Sequence, residues 1–168
     1  VLFNESFGQF NAADATQRVK ALDPTRPIDA VSGWYDQQCG SYLSVHNYFR
    51  SLRVYPDRAV PPRAFVISEF GGITFNVPDH RSLDSDYGYD SFVNADEWRA
   101  AVKYVIDCAD AQEANGLIGY VFTQLSDVEE ETNGLLTYDR VVNKMEYDET
   151  KANDELDNEA EEEIANKE

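Results

Sequence analysis

The sequence contains little cysteine, little basic charge and no long apolar run. Its two cysteines, Cys39 and Cys108, are too few and too far apart for a disulfide framework or a zinc site. Cys108 lies in an apolar segment and is predicted to be packing only. No apolar run approaches the roughly 20 residues of a membrane-spanning helix. No predicted strand precedes a glycine-rich phosphate loop, which argues against a nucleotide-binding fold.

Acidic residues are in large excess. The chain carries 32 Asp and Glu against 14 Lys and Arg, a net charge of -18. An acidic surface repels phosphate, so nucleic acid and anionic membranes are not expected as partners. Half of the net charge lies in residues 146–168, which hold eleven acids and two lysines. We predict a domain over residues 1–145 and an acidic tail, helical or disordered, over residues 146–168.

Two helices are predicted from apolar periodicity. The first covers residues 14–22, with Asp14 as N-cap and an apolar face that includes Leu22. The second covers residues 95–114, with Asn94 as N-cap. Its apolar stripe consists of Trp98, Val102, Val105, Ile106 and Ala109.

Five apolar segments predict strands, at residues 1–3, 28–31, 42–45, 64–67 and 117–122. Helices or long connections separate them, including a loop at 73–93, which is typical of parallel βα units. Polar or aromatic residues follow every strand, and parallel strands of a barrel bring such residues to one rim. An open doubly wound sheet would do the same. Because a whole barrel needs about 250 residues, we predict an α/β fold, the C-terminal portion (strands 4–8) of a (β/α)8 TIM barrel truncated at its N-terminus.

Two glutamates lie at this predicted rim. Glu69 follows the strand at 64–67, and Glu5 follows the strand at 1–3. A lone glutamate after a buried strand is more often the cap of a turn. Two carboxylates at one rim indicate instead a pair that performs acid/base chemistry. Closure of the barrel would bring the two side chains together.

An ordered series of short motifs resembles the catalytic domain of glycoside hydrolase family 2, over residues 1–144. The motifs are Phe3-Asn4-Glu5-Ser6, Leu22-Asp23-Pro24-Thr25-Arg26-Pro27, Ser32-Gly33-Trp34, His46-Asn47-Tyr48, Ser68-Glu69-Phe70-Gly71-Gly72, Gly119-Tyr120-Val121-Phe122-Thr123-Gln124, Asp127-Val128-Glu129-Glu130-Glu131-Thr132-Asn133-Gly134 and Leu136-Thr137-Tyr138-Asp139-Arg140. Each motif is weak alone, and the order and spacing of the set carry the resemblance.

The resemblance implies a retaining β-glycosidase that hydrolyses terminal β-linked sugars, with a carbohydrate as substrate and no cofactor or metal. It implies Glu5, preceded by Asn4, as acid/base and Glu69 as nucleophile. The family's first three barrel strands and its preceding β-sandwich domains have no counterpart in the 168 residues. The resemblance therefore implies a fragment that is inactive alone, and the parent's localisation is not predicted.

Further residues at the rim are substrate-binding candidates. Asn4 can bond the sugar 2-hydroxyl or serve only as a turn residue. Tyr48 can donate to Glu69 and keep it ionised. His46 can line the same wall, and a structural role for it is equally supported. Trp34 offers a flat face to a sugar ring, although tryptophan is as often core packing.

Gln124 and Asp127, after the last strand, are predicted to bind sugar hydroxyls or to brace the nucleophile. The nearby acidic run at residues 129–131 suits a solvated loop better than a metal site, because calcium-loop spacing is missing. Two other functions stay open, an inactive carbohydrate-binding homologue and an interaction protein that dimerises to cover its open edge.

Overall fold

The structure is a computed structural model that describes residues 1–5, 7–48 and 51–148. None of the helices in that part of the chain is long and apolar enough to cross a membrane. Most of the predicted acidic tail, residues 149–168, lies outside the described residues. The regular elements, in chain order, are α1 (Ala12–Leu22), β1 (Tyr42–Asn47), β2 (Ala64–Gly71), β3 (Ile73–Phe75), β4 (Asp90–Phe92), α2 (Ala95–Asp110), a 3-10 turn (Glu113–Asn115) and β5 (Leu117–Thr123).

A three-stranded parallel sheet holds the centre of the fold. Its order is β1-β2-β5, with β2 between the other two strands. β-Branched and aromatic residues suit the middle strand, and Phe65, Ile67 and Phe70 are all buried there. Because the three strands are parallel, their carboxyl ends meet at one edge of the sheet.

Helix α2 packs on two sheets. Its C-terminal half contributes Ala109 to the core of the three-stranded sheet. Its N-terminal half places Trp98 and Val102, both fully buried, against the small parallel pair β3-β4. The Trp98 indole N–H donates to the carbonyl of Ile73 at 2.9 Å, so the buried ring leaves no polar atom unsatisfied.

A buried lysine fastens the segment after β5. The Lys144 side chain is 0% exposed and donates to Asp127 Oδ1 at 2.7 Å. It also donates to the carbonyls of Phe75 and Thr132. Asp127 accepts a further bond from the Gly134 N–H. One ammonium group thus joins β3 to the loop at residues 127–134.

A second buried cation joins the start of β2 to two loops. The Arg63 guanidinium donates to Asp57 and to Asp36 with two bonds each, all of 2.7–2.8 Å. A fifth bond goes to the carbonyl of Cys39. These hydrogen bonds hold the pKa of the Asp57 carboxyl well below its usual range. The loop that carries Asp36 is therefore fixed against the sheet.

The prediction of strands 4–8 of a (β/α)8 TIM barrel is wrong, although the class is α/β. The described residues hold two α-helices, one three-stranded sheet and a separate two-stranded sheet, too few elements for that portion of a barrel. The segments at 1–3 and 28–31 meet in a single bridge, Phe3 with Val31. Between β1 and β2 the described residues form no helix. Strand-helix alternation, which a barrel requires, is therefore missing at this point.

The helix predictions succeed where the pattern is long. Asn94 caps α2, and its side chain accepts the Glu97 N–H at 3.0 Å. Helix α1 instead begins after Asn11, so Asp14 lies in its first turn, and Leu22 is 87% exposed. The predicted loop at 73–93 contains β3 and β4, whose three-residue length is too short for a sequence pattern to reveal.

Candidate active site

The candidate site lies at the carboxyl edge of the three-stranded sheet. In the register of β1 and β2, His46 is opposite Glu69, and in that of β2 and β5, Gly71 is opposite Thr123. His46 Nδ1 lies 3.2 Å from Glu69 Oε2, and the imidazole is almost fully buried. The sheet thus supplies the nucleophile candidate and one wall beside it.

A break in the strand register aims Glu69 at this edge. Val45 pairs with Ile67 but His46 pairs with Glu69, so Ser68 is an extra residue in β2. The Ser68 hydroxyl donates to the carbonyl of Val45 at 3.2 Å and so replaces a lost ladder bond. Such bulges turn a strand locally and redirect its side chains.

Tyr48 holds one oxygen of Glu69. Its hydroxyl donates to Glu69 Oε2 at 2.8 Å and lies 3.1 Å from the Thr123 hydroxyl. Burial, together with the bond to Glu69, raises the pKa of Tyr48 well above its usual value, so the phenol keeps its proton. The Tyr48 ring also stacks on Tyr89, with centroids 4.0 Å apart. The contacts of Tyr48 and His46 with Glu69 are both made at Oε2, so neither residue engages Oε1.

Two glycines follow Phe70 where a side chain would meet aromatic rings, Phe122 at Gly71 and the tyrosine stack at Gly72. Gly71 and Gly72 have φ of 101° and 62°, in the left-handed region that side chains disfavour. A Cβ on Gly72 would lie 2.5 Å from Tyr89 and 3.0 Å from Tyr48. Glycine at position 72 therefore allows both the left-handed backbone and the close approach of the two stacked rings.

Glu5 reaches the same place from the beginning of the chain. The segment before it is held by bonds from Leu2 and Phe3 to the carbonyls of residues 29 and 30. One carboxylate oxygen of Glu5, one of Glu69 and a ring nitrogen of His46 all lie within 4.8 Å of one another. Two carboxylates separated by 64 positions of sequence are therefore neighbours.

These groups border a cleft of about 460 Å³, which we call the carboxylate cleft. It is lined by Glu5, Tyr48, Ser68, Glu69, Tyr87, Tyr89, Val121, Phe122, Thr123, Gln124, Glu131 and Asn133. Among the described residues that line it, three are carboxylates and none is cationic. The cleft therefore favours neutral or hydroxyl-rich ligands over anionic ones.

Glu131 is a lining residue that the sequence did not reveal. Within the acidic run at 129–131 it has no distinguishing pattern. Gln124 orients it, since Gln124 Nε2 donates to Glu131 Oε2 at 2.9 Å and to Asn133 Oδ1 at 2.7 Å. Burial is the main cause that raises the pKa of Tyr89 to about 12, and the charges of Glu5 and Glu131 add to it. Glu131 thus shares the electrostatic environment of the cleft.

Four predicted substrate-binding residues do not line the carboxylate cleft, namely Asn4, Trp34, His46 and Asp127, although His46 contacts Glu69. Asn4 accepts a bond from the Ser32 hydroxyl and does not line the carboxylate cleft. Asp127 is buried in its ion pair with Lys144, so it is not available to a sugar. Trp34 lines a second cleft, and its ring lies edge-on to His46 with centroids 6.0 Å apart.

The same cluster can also serve as a metal site. Glu5, His46 and Glu69 are the group of potential ligands that the described residues bring together. Two carboxylate oxygens and one imidazole nitrogen suit zinc or a similar divalent ion. One oxygen of Glu69 is already engaged by Tyr48, which weakens this set as a metal ligand.

Comparisons with known proteins assign no family. No model of a known family matches the chain, and no curated protein matches it significantly. The described part of the chain is an α/β structure with a two-carboxylate cleft at the carboxyl ends of its parallel strands.

Proposed function

We propose that this chain carries the two catalytic carboxylates of a retaining β-glycosidase related to glycoside hydrolase family 2, which acts on terminal β-linked sugars. The observation that carries the proposal is the approach of Glu5 and Glu69 oxygens to within 4.8 Å in one open cleft. Retaining glycosidases hold their two carboxyl groups about 5–5.5 Å apart, whereas inverting enzymes need about 6.5–9.5 Å for an intervening water.

Glu69 is the nucleophile. Its Oε2 is anchored by Tyr48, so Oε1 is left to attack the anomeric carbon. In the first step Oε1 bonds to that carbon, the glycosidic bond breaks, and protonated Glu5 gives its proton to the departing oxygen. In the second step Glu5 removes a proton from water, the water oxygen bonds to the anomeric carbon, and Glu69 leaves as a carboxylate. Glu5 lines the cleft and is exposed to solvent, so the attacking water can reach it.

The nucleophile is tested by covalent trapping, which detects a single turnover. The full chain is incubated with 2,4-dinitrophenyl 2-deoxy-2-fluoro-β-glycosides of gluco, galacto and manno configuration, and its intact mass is measured. We expect one added glycosyl group, mapped to Glu69, and none in Glu69→Gln. Glu113→Gln, an exposed glutamate in the 3-10 turn, is the matched control and should label normally. Labelling of another residue, or undiminished hydrolysis by Glu69→Gln, would overturn the assignment.

The acid/base is tested by chemical rescue. Glu5→Gln should keep its first step with dinitrophenyl glycosides, because that leaving group needs no proton. Its second step should slow by about 100-fold or more, the usual contribution of general base catalysis. Azide should restore turnover and yield a β-glycosyl azide. An α-azide product, or rescue that is equal in the unmodified protein, would contradict the role of Glu5.

A divalent-metal site is the second candidate, because Glu5, His46 and Glu69 offer three ligand atoms. The two proposals differ in their response to chelation. If the site is glycosidic, dialysis against EDTA leaves trapping unchanged and added zinc competes with it. If a metal performs the function, EDTA abolishes activity and zinc restores it. Loss of trapping after EDTA would therefore contradict the glycosidase mechanism.

A further inference from the structure

Three polar side chains connect the segment at residues 28–31 to the lining of the carboxylate cleft. Ser44 Oγ lies 2.7 Å from Asp29 Oδ2 and 2.8 Å from Ser68 Oγ. Ser44 is only 2% exposed, and among these three described residues Ser68 alone lines the cleft. We call the set of Asp29, Ser44 and Ser68 the polar brace. None of its members bonds to substrate in the two chemical steps of the proposed reaction.

Ser68 is the extra residue at the break in the β1–β2 register, directly before Glu69. Its hydroxyl donates to the carbonyl of Val45 at 3.2 Å, and its oxygen accepts from Ser44. Strand β1 therefore holds Ser68 from two sides. Because side chains alternate between the faces of a strand, a bulge that moved by one residue would turn Glu69 away from the cleft. The hold on Ser68 thus fixes the direction in which Glu69 points.

Asp29 connects this bulge to the segment that carries Glu5. Its backbone carbonyl accepts the Leu2 N–H at 2.9 Å, three residues before Glu5. Its Oδ2 accepts from Ser44, which shares its single proton between Asp29 and Ser68. One residue is therefore hydrogen-bonded toward both carboxylates of the cleft.

The segment that carries Asp29 is also fastened to the start of β1. The Ile28 carbonyl accepts the Ser41 N–H at 2.7 Å, and the Ile28 N–H donates to the Ser41 hydroxyl at 2.9 Å. Reactive groups keep a productive geometry when the residues behind them are themselves held by packing and hydrogen bonds. Asp29 meets this condition, because its backbone is held on both sides.

Resting on the proposed function, we propose that Asp29 and Ser44 are positioning residues, which set the direction of the Glu69 carboxylate and its separation from Glu5. Retaining glycosidases hold the two carboxyl groups about 5–5.5 Å apart, and a displacement of about 1 Å lowers a rate about 100-fold. Asp29 and Ser44 do not line the cleft, so their loss should slow the chemical step and leave reagent binding unchanged.

Covalent trapping tests the brace when it is resolved into rate and binding. For each variant, the labelling rate constant at saturating dinitrophenyl 2-fluoroglycoside and the reagent concentration for half-saturation are measured by intact mass. Ser44→Ala and Asp29→Ala should each lower the saturating rate constant by about tenfold, with the half-saturation concentration changed by less than about twofold. Asp29→Asn keeps a side-chain oxygen that accepts from Ser44, so it should retain most of the rate.

Amide hydrogen exchange provides a readout that does not depend on turnover. Peptides that cover residues 66–70 contain the bulge and belong to the middle strand of the sheet. In Ser44→Ala and Asp29→Ala their exchange should become about tenfold faster, because loss of a hydrogen bond lowers the free energy of local opening. Peptides from α2 should exchange at the rate of the unmodified protein.

Thr137→Val is the matched control. Thr137 is 0% exposed, and its hydroxyl donates to Asp139 at 2.7 Å, as that of Ser44 does to Asp29. Thr137 does not line the carboxylate cleft. The variant should lose stability in urea, as Ser44→Ala does, but should be trapped at the unmodified rate. A role that is only structural would change the stability of both variants and the trapping rate of neither.

Each result decides a different claim. Unchanged trapping in Ser44→Ala and Asp29→Ala overturns the brace, and so does equal slowing in Thr137→Val. A raised half-saturation concentration at an unchanged saturating rate constant also overturns it, because Ser44 would then act on binding. Absence of trapping in the unmodified protein overturns the proposed function. Hydrogen exchange at residues 66–70 then decides the brace by itself, since faster exchange in the two variants supports it and unchanged exchange overturns it.

Discussion

Replacing Lys144 by methionine should destabilise this protein severely. Lys144 is fully buried, and its ammonium satisfies the Asp127 carboxylate and the carbonyls of Phe75 and Thr132. Methionine fills a similar volume but leaves Asp127 buried without its cation. Removal of one partner of a buried ion pair costs about 3–5 kcal/mol of unfolding free energy. At about 2–4 °C per kcal/mol, the melting temperature should fall by roughly 6–20 °C.

The assay is urea unfolding followed by circular dichroism at several pH values. Burial raises the pKa of Asp127, and Lys144 is the main group that opposes this rise. In Lys144→Met the Asp127 pKa rises further. An acid whose pKa is raised by folding favours the folded state at low pH and loses that benefit as pH increases. The loss of unfolding free energy caused by Lys144→Met should therefore become smaller as the pH falls from 8 to 5, because Asp127 becomes protonated.

Lys103→Met is the matched control. Lys103 makes an exposed ion pair with Asp107 one turn along α2, and both side chains are more than half exposed. Exposed pairs of this spacing contribute only about 0.3–0.5 kcal/mol. If Lys144→Met lost no more unfolding free energy than Lys103→Met, or if its loss did not depend on pH, the buried ion pair would not be a major source of stability.

Three further outcomes are expected. Tyr48→Phe removes the hydrogen bond to Glu69 and should slow covalent trapping at least tenfold, since bonds to charged groups contribute about 1.5–3 kcal/mol, with the melting temperature little changed. Gly72→Ala should lower stability by about 1–3 kcal/mol through its left-handed φ and also slow trapping, because its methyl group displaces Tyr89. Asp57→Asn should cost about 3 kcal/mol at pH 7 by urea unfolding. Folding lowers the pKa of Asp57, so its carboxylate stabilises the folded state above the unfolded-state pKa of about 4, and this stabilisation is lost as the pH falls. The free energy of unfolding of Asp57→Asn should therefore decrease less between pH 5 and pH 3 than that of the unmodified protein.

Local signals predicted the elements that are long and strongly patterned. Asn94 and the stripe of Trp98 and Val102 are sufficient to place α2, because a cap and a repeat of 3.6 residues are contained within one stretch of chain. The apolar runs of β1, β2 and β5 likewise predict strands, with ends that differ by a few residues. The first helix was less well placed, since Asn11 begins it through a backbone conformation rather than through a side-chain cap.

The assembly was predicted less well than its parts. Five apolar segments indicate five strands, but whether a segment pairs over its length or in a single bridge depends on its neighbours in space. In the described part of the chain, Phe3 and Val31 make a single bridge and no strand, so the barrel inference fails. Glu131 and Lys144 show the same limit. A glutamate in an acidic run and a lysine near the acidic tail look solvated, and only long-range packing brings one to the cleft and buries the other.

The sequence by itself determined the α/β class, the helix α2, the central strands and the two glutamates, because these depend on residue type and spacing within short stretches. Tertiary structure decided the rest. It brought Glu5 and Glu69 within 4.8 Å, turned Glu69 at a bulge, and paired Asp127 with Lys144 rather than with a ligand. The physical reason is that distances between residues far apart in the chain are set by the packing of whole elements, which no local pattern specifies.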